Sequence, residues 1–183
     1  TQFEMLKKYE LRKDTYKILI KYAKSKKIKF LSSPFDIESI YFLKKLNLDF
    51  IKVPSGEIDN YPYLKCLGKL KKKIILSTGM SDLKEVDRAI KILSKNGTKK
   101  RDISVLHCHS AYPSKITNLN LKVIQTLKKR FNLRIGFSDH SDGINAPVIA
   151  TALGAEIIEK HLTLNRNMSG PDHKASINPY QFK

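Results

Sequence analysis

Six times along the chain a short apolar, largely β-branched run ends in a cluster of small polar or ionisable residues. Ile28–Leu31 runs into Ser32-Ser33-Pro34-Phe35, Phe50–Val53 into Pro54-Ser55-Gly56-Glu57, and Ile74–Leu76 into Ser77-Thr78-Gly79-Met80. Ile103–Leu106 runs into His107-Cys108-His109-Ser110, Arg134–Phe137 into Ser138-Asp139-His140, and Glu156–Ile158 into Glu159-Lys160-His161. The runs lack strict polar alternation, the pattern of strands buried on both faces of a parallel sheet. Between them apolar residues recur at three- and four-residue spacing, which predicts helices. Asp14–Ser25 carries Tyr16, Leu19, Ile20 and Ala23 on one side, with Asp14 as its cap. Asp36–Leu46, Asn60–Leu70, Leu119–Phe131 and Ala146–Leu153 follow the same rule. Ser81–Asn96 is the clearest case, with Val86, Ala89, Ile90 and Leu93 as its stripe. Ser81 or Asp82 caps it and Asn96-Gly97 stops it. Repeated strand–polar end–helix units predict an α/β fold, a parallel barrel whose C-terminal strand ends supply the chemistry. Such a barrel closes with eight strands, and the pattern supplies six. The expectation is therefore one partial barrel domain over residues 1–183, a piece of a longer protein.

Charge changes this picture little. The formal net charge is +18, from 35 Lys and Arg against 17 Asp and Glu. The basic clusters Lys24–Lys29, Lys69–Lys73, Lys99–Arg101 and Lys128–Arg130 are scattered over helix ends and loops, without interleaved aromatics. That distribution argues against nucleic-acid binding as the main role, while a positive field still attracts anionic substrates. A rival from another class is a non-catalytic basic module that binds polyanions through charge alone. No run approaches the ~20 apolar residues of a membrane span, so no membrane partner is expected. Cys66 and Cys108 form no disulfide framework, which favours a reducing cytoplasm.

Two constellations carry most of the chemistry. His140 and His161 lie 21 residues apart, each just past an apolar strand with one short helix between. Consecutive barrel units would place both imidazoles on one rim, within reach of one divalent metal. Two unrelated histidines are the plainer alternative. Lys52, Ser55 and Glu57 offer a cation, a hydroxyl and an acid–base group around a Pro-Ser-Gly turn, suited to a phosphate or carboxylate. By the period of two, Ser55 and Glu57 share a face and Lys52 lies opposite unless the turn redirects it. For any one of these residues an ordinary turn with a surface glutamate is the plainer alternative. Ser77-Thr78-Gly79-Met80 opens a helix with hydroxyls and a glycine, and Ser32-Ser33 adds two more hydroxyls. In His107-Cys108-His109 the histidines face one way and the cysteine the other, which disfavours one shared ion. Ser169-Gly170-Pro171-Asp172-His173 is a loop that either folds over the rim to bind a polyol or is a plain turn. Neither a dinucleotide or nucleotide loop nor a serine-hydrolase elbow occurs.

Together these segments resemble the sialic acid synthase family, N-acetylneuraminate synthases and their legionaminate relatives. The resemblance rests on Ser32-Ser33-Pro34-Phe35-Asp36, Lys52-Val53-Pro54-Ser55-Gly56-Glu57, Leu76-Ser77-Thr78-Gly79-Met80 and Tyr112-Pro113. It rests also on Gly136-Phe137-Ser138-Asp139-His140, Glu159-Lys160-His161 and Gly170-Pro171-Asp172. It implies a (β/α)8 TIM barrel, present here as roughly strands 3 to 8. Two N-terminal units and a small C-terminal antifreeze-like domain would lie outside the chain, which would not turn over alone. It implies condensation of phosphoenolpyruvate with N-acetylmannosamine or a related N-acyl hexosamine, giving a nine-carbon 2-keto sugar acid and phosphate. A legionaminate- or pseudaminate-type synthase shares that mechanism, and the Lys52–Glu57 motif looks less like the pseudaminate group. Carried over by motif, His140 and His161 are the ligands of a catalytic divalent ion, Mn²⁺ first and Mg²⁺ or Co²⁺ as alternatives. Ser33, Lys52, Ser55, Ser77 and Ser138 form the phosphoenolpyruvate pocket. Glu57, Tyr112 and Asp172 contact the sugar, and Glu57 orients water or moves a proton. The family's dimers imply a homodimer for the full-length protein. Ser110 stands where members often have Asn, so contact to the sugar's acyl side is expected to differ.

Overall fold

The computed structural model describes residues 1–183, the side chains of residues 2 and 6 excepted. Five of the six apolar runs become parallel strands that pair in chain order: β1 Phe50–Val53, β2 Lys73–Ser77, β3 Ile103–Cys108, β4 Arg134–Asp139 and β5 Ile157–Lys160. The exception is Ile28–Leu31, which forms no strand. Among the described residues its neighbourhood touches the sheet through one backbone bond, Lys52 N–H to the Ser32 carbonyl at 3.2 Å. Ile28 and Leu31 are exposed. An apolar run supplies the faces of a strand, but the ladder requires a paired neighbour, and a single bond does not make one.

The predicted helices are present, with boundaries set by caps. They are α1 Gln2–Tyr9, α2 Lys13–Ser25, α3 Ile37–Leu46, α4 Tyr61–Lys69, α5 Leu83–Lys95, α6 Val123–Phe131, α7 Asn145–Ala152 and α8 Pro179–Phe182. The sequence pattern did not indicate α1, which a Thr1–Glu4 capping box opens, or the short α8. Asp14 lies inside the first turn of α2 rather than capping it, because the helix begins at Lys13. Asp82, not Ser81, caps α5: its carboxylate accepts the N–H groups of Lys84 and Glu85, and the Glu85 side chain returns to the Asp82 N–H. Helix α6 starts at Val123 rather than Leu119, since a 3-10 turn at Ile116–Asn118 and left-handed Asn120 (φ 45°) interrupt the run.

The register assigns each strand residue to a face. Lys52 pairs with Ile75, Ser77 with Leu106, Cys108 with Ser138, and Ser138 with Glu159. With the two-residue alternation along each strand, Lys52, Ile75, Ser77, Leu106, Cys108, Gly136, Ser138, Ile157 and Glu159 share one face. The opposite face carries Ile51, Val53, Ile74, Leu76, Ile103, Val105, Ile135 and Phe137, all buried, with Leu64, Leu67, Val86, Leu93, Ile124 and Leu127 from the helices in the same core.

The first face is concave. Across five flat strands at ~4.8 Å spacing, β1 and β5 would stand ~19 Å apart. Yet Lys52 Nζ on β1 lies 3.4 Å from Glu159 Oε1 on β5, so the sheet curls into a half-barrel. Curling crowds the inside, and Gly136 answers the crowding. A Cβ there would lie 2.5 Å from a Leu106 methyl carbon and closer still to the Ile157 carbonyl oxygen. Lower on this face Leu31, Ile75, Leu106 and Ile157 line an apolar cleft of about 980 Å³. No described helix is long and apolar enough to cross a membrane.

Candidate active site at the strand ends

The concave face turns polar toward the C-terminal strand ends, and each strand contributes one side chain there. Lys52 is buried, with Nζ 3.5 Å from the Val53 carbonyl and 3.4 Å from Glu159 Oε1. The Ser138 hydroxyl donates to that same Oε1 at 2.6 Å. The Cys108 thiol accepts the Gly79 N–H at 3.1 Å. Burial pushes this thiol up, outweighing the nearby Lys52 ammonium and N–H donor, so it is neutral at pH 7. Ser77 is 2% exposed, and its hydroxyl lies beside Cys108 without completing a hydrogen bond among the described residues. A buried donor without a partner in a pocket is a place where a ligand atom fits.

Ser55 joins this group through the loops. It opens a 3-10 turn, Ser55–Glu57, and packs on Gly79, whose backbone has φ +53°. A Cβ at Gly79 would fall 2.7 Å from the Ser55 hydroxyl and 3.2 Å from that of Ser110. Lys52, Ser55, Ser77, Cys108 and Ser138 thus form a cradle with one cation, three hydroxyls and a thiol, able to hold a phosphate or carboxylate. Two predicted members stand apart from its contacts. The Glu57 carboxylate accepts from Asn60 Nδ2 at 2.7 Å, and no described interaction links it to Lys52 or the histidines. Ser33 is half-buried beside Pro34, whose carbonyl accepts the Tyr63 hydroxyl at 2.7 Å.

Above the cradle stand the two histidines. The buried Lys160 ammonium and Asp139 carboxylate, 2.6 Å apart, tie the ends of β4 and β5 together. Asp139 Oδ1 also accepts the Ser141 N–H at 2.8 Å, and Lys160 Nζ donates to the Ser141 carbonyl. His140 and His161 follow directly, with ring centroids 5.5 Å apart. His140 Nδ1 faces the His109 carbonyl at 2.9 Å, which fixes the Nδ1–H tautomer and leaves the Nε2 lone pair free of that bond. Burial lowers the His140 pKa, keeping the ring neutral. Tyr112 packs 4.0 Å from the His140 ring and 5.9 Å from that of His161, and Asp172 Oδ2 lies 3.8 Å from His161 Nδ1. Tyr112 and Asp172 also line a cavity of about 710 Å³ with Arg166, Met168 and His173.

Among the described residues no set of three or more His, Cys, Asp or Glu side chains is arranged to hold a metal. The two imidazoles are the donors the site offers. His107 and His109 are otherwise engaged. His107 Nε2 meets the Leu119 carbonyl at 2.6 Å on the helix-facing side, and His109 Nδ1 meets the Ser114 hydroxyl at 3.0 Å. Sequence reasoning names Glu159, Cys108, Asp139 and Lys160 in its motifs but gives none of them a role in this site. Strand parity was the available signal, since Cys108 and Glu159 each alternate onto the face that Ser138 shares.

Comparison with known proteins places this geometry in context. The family model described as the NeuB family matches residues 1–183. The N,N'-diacetyllegionaminic acid synthase of Campylobacter jejuni is 52% identical over 183 residues, covering 100% of this chain and 55% of that protein. The enzyme of the same name from Legionella pneumophila is 45% identical over 185 residues, covering 100% of this chain and 52% of its own. Among solved structures, the N-acetylneuraminic acid synthetase of Leptospira borgpetersenii, in complex with citrate, superposes with a TM-score of 0.93 at 35% identity, over 97% of this chain and 61% of that one. The chain spans about half the length of the curated relatives it matches.

Proposed function

Since the chain belongs to the NeuB family, we propose that it carries the phosphoenolpyruvate cradle and metal site of a synthase. That enzyme joins phosphoenolpyruvate to an N-acyl hexosamine, N-acetylmannosamine in the first reading, and releases phosphate. The observation that carries the proposal is the convergence of Lys52, Ser77, Cys108 and Ser138 from four strands directly beneath the His140–His161 pair. A complete (β/α)8 barrel, to which this five-stranded half-barrel would contribute the C-terminal strands, belongs to the same reading, as do a homodimer and a cytoplasmic setting. Family membership supports these.

The metal fits its two donors. Imidazoles bound to one ion at metal–nitrogen distances of ~2.1 Å have ring centroids roughly 5 Å apart, close to the 5.5 Å found for His140 and His161. When bound there, a Mn²⁺-class ion supplies Lewis-acid polarisation of the sugar's carbonyl. The chain's own residues do the rest. Lys52 neutralises the phosphate while the hydroxyls of Ser55, Ser77 and Ser138 donate to the phosphate and carboxylate oxygens, and Ser33 borders them. Attack of the methylene carbon of phosphoenolpyruvate on the aldehyde leaves an oxocarbenium centre at the adjacent carbon that carries the phosphate, while the aldehyde oxygen takes up a proton. Water adds at that centre before phosphate departs. Tyr112 and Asp172 hold the sugar against the histidines, and Glu57 orients the water or moves its proton. The test is phosphate release from phosphoenolpyruvate and N-acetylmannosamine by the full-length protein, with and without Mn²⁺. Metal-dependent release supports the proposal. Its absence with this sugar and with diacetamido hexosamines overturns it. A legionaminate-type acceptor is the second reading, supported by the two legionaminic acid synthases above. Swapping the sugar distinguishes the two.

A further inference from the structure

A carboxylate of the protein itself sits where the cradle's anion belongs. Glu159 Oε1 accepts the Ser138 hydroxyl at 2.6 Å and lies 3.4 Å from the Lys52 ammonium. It therefore takes up two of the donors assigned to the phosphate. The partners are unequal in freedom: the Lys52 side chain is 9% exposed, that of Glu159 38%. An ammonium so buried needs a counter-charge when no ligand is present. Glu159 provides one from the far edge of the sheet, and its greater exposure lets it swing clear while Lys52 stays in place.

We propose that Glu159 is an internal competitor for the anion cradle, holding Lys52 and Ser138 in the free pocket and yielding them to the phosphate of the incoming ligand. The inference rests on reading the cradle as the phosphoenolpyruvate site. Its consequence is that Glu159 weakens binding of the substrate and of the product phosphate alike, and so favours turnover over retention.

Two effects act in the same direction. The carboxylate repels a phosphate drawn to the same ammonium. Its pairing with Lys52 also stabilises the empty state, which binding must give up. Removing its charge should therefore tighten anion binding. A residue that merely braced Lys52 and Ser138 would have the opposite sign, because its loss would leave the donors disordered and binding weaker.

The experiment is calorimetric titration of the full-length protein and its Glu159→Gln variant with inorganic phosphate and, separately, phosphoenolpyruvate, at fixed ionic strength. Circular dichroism checks the fold. The glutamine keeps an acceptor for Ser138 and removes the charge. The expected result is binding of both anions about tenfold tighter than wild type, the scale of one close charge at an intermediate dielectric. Glu159→Ala, which leaves no acceptor, should shift binding in the same direction. Equal or weaker binding in both variants overturns the competitor role and leaves the cradle reading intact. If wild type and variants alike bind neither anion at millimolar concentration, the cradle reading falls and the inference with it.

Discussion

The Asp139 carboxylate and the Lys160 ammonium meet at 2.6 Å with side chains 0% and 3% exposed, each one residue ahead of a histidine of the site. The pair lies on the helix-facing side of the sheet, so its contacts do not compete with the cradle. It sets how β4 and β5 end, and thereby how far apart His140 and His161 stand. Lys160→Met leaves the Asp139 charge buried without its partner, which should cost about 3–5 kcal/mol. Urea denaturation of the variant measures that loss.

Gly136→Ala tests the curl of the sheet. The added methyl collides with the Ile157 carbonyl and a Leu106 methyl across the crowded inner face. The expected destabilisation is about 1–3 kcal/mol, the usual cost of overpacking. A denaturation midpoint equal to wild type would mean that the strands separate more easily than their packing indicates.

Ser77 separates ligand contact from stability. Its hydroxyl is buried without a partner among the described residues, so Ser77→Ala removes a donor that the described fold does not use. Thermal unfolding should change by no more than about 0.5 kcal/mol, while affinity for phosphate falls by about fivefold, the scale of one lost hydrogen bond. Titration calorimetry and melting curves on the same samples read both quantities.

His140→Ala and His161→Ala should each lower Mn²⁺ affinity by more than about tenfold, the smallest effect usual for altering even the surroundings of a metal site. Near-native circular dichroism is expected in both. Unchanged Mn²⁺ binding in both variants would move the metal elsewhere.

The outward-facing His107 gives the fold a pH dependence of its own. Burial lowers its pKa below the ordinary histidine value. The neutral ring is the folded form, so its stabilising contribution is complete above ~6.5, the unfolded value, and is lost as the pH falls toward the folded pKa. The slope for this one proton is at most about 1.4 kcal/mol per pH unit. Stability measured between pH 5 and pH 8 should fall on the acid side, and His107→Gln should flatten that decline.

These residues also show how far the sequence could be read. Strands β1 to β5 and the helices between them were legible because each run carries its own signal: a β-branched core, an apolar stripe, a capping residue. Ile28–Leu31 carries the same signal and forms no strand, because pairing is decided by a neighbour and not by the run. The pairing of His140 with His161 was legible because one short unit separates them. The Lys52–Glu159 contact was not, since it crosses three intervening strands and exists only when the sheet curls. The two-residue period sets Lys52 opposite Ser55 only if the Pro-Ser-Gly turn leaves the chain extended. The 3-10 turn at Ser55–Glu57 instead folds Ser55 against Gly79 on the cradle side and sends the Glu57 carboxylate to Asn60. Three residues of turn override a two-residue period.

The alternation along the strands has an evolutionary consequence. Odd and even positions of one short segment answer to different selective demands: Phe137 and Asp139 hold the wall, whereas Ser138 faces the cradle. Mutation can therefore explore new substrates through one set of positions while the other continues to specify the same architecture. A lineage built on this plan can diversify in the ligand its inner face receives without passing through unfolded intermediates.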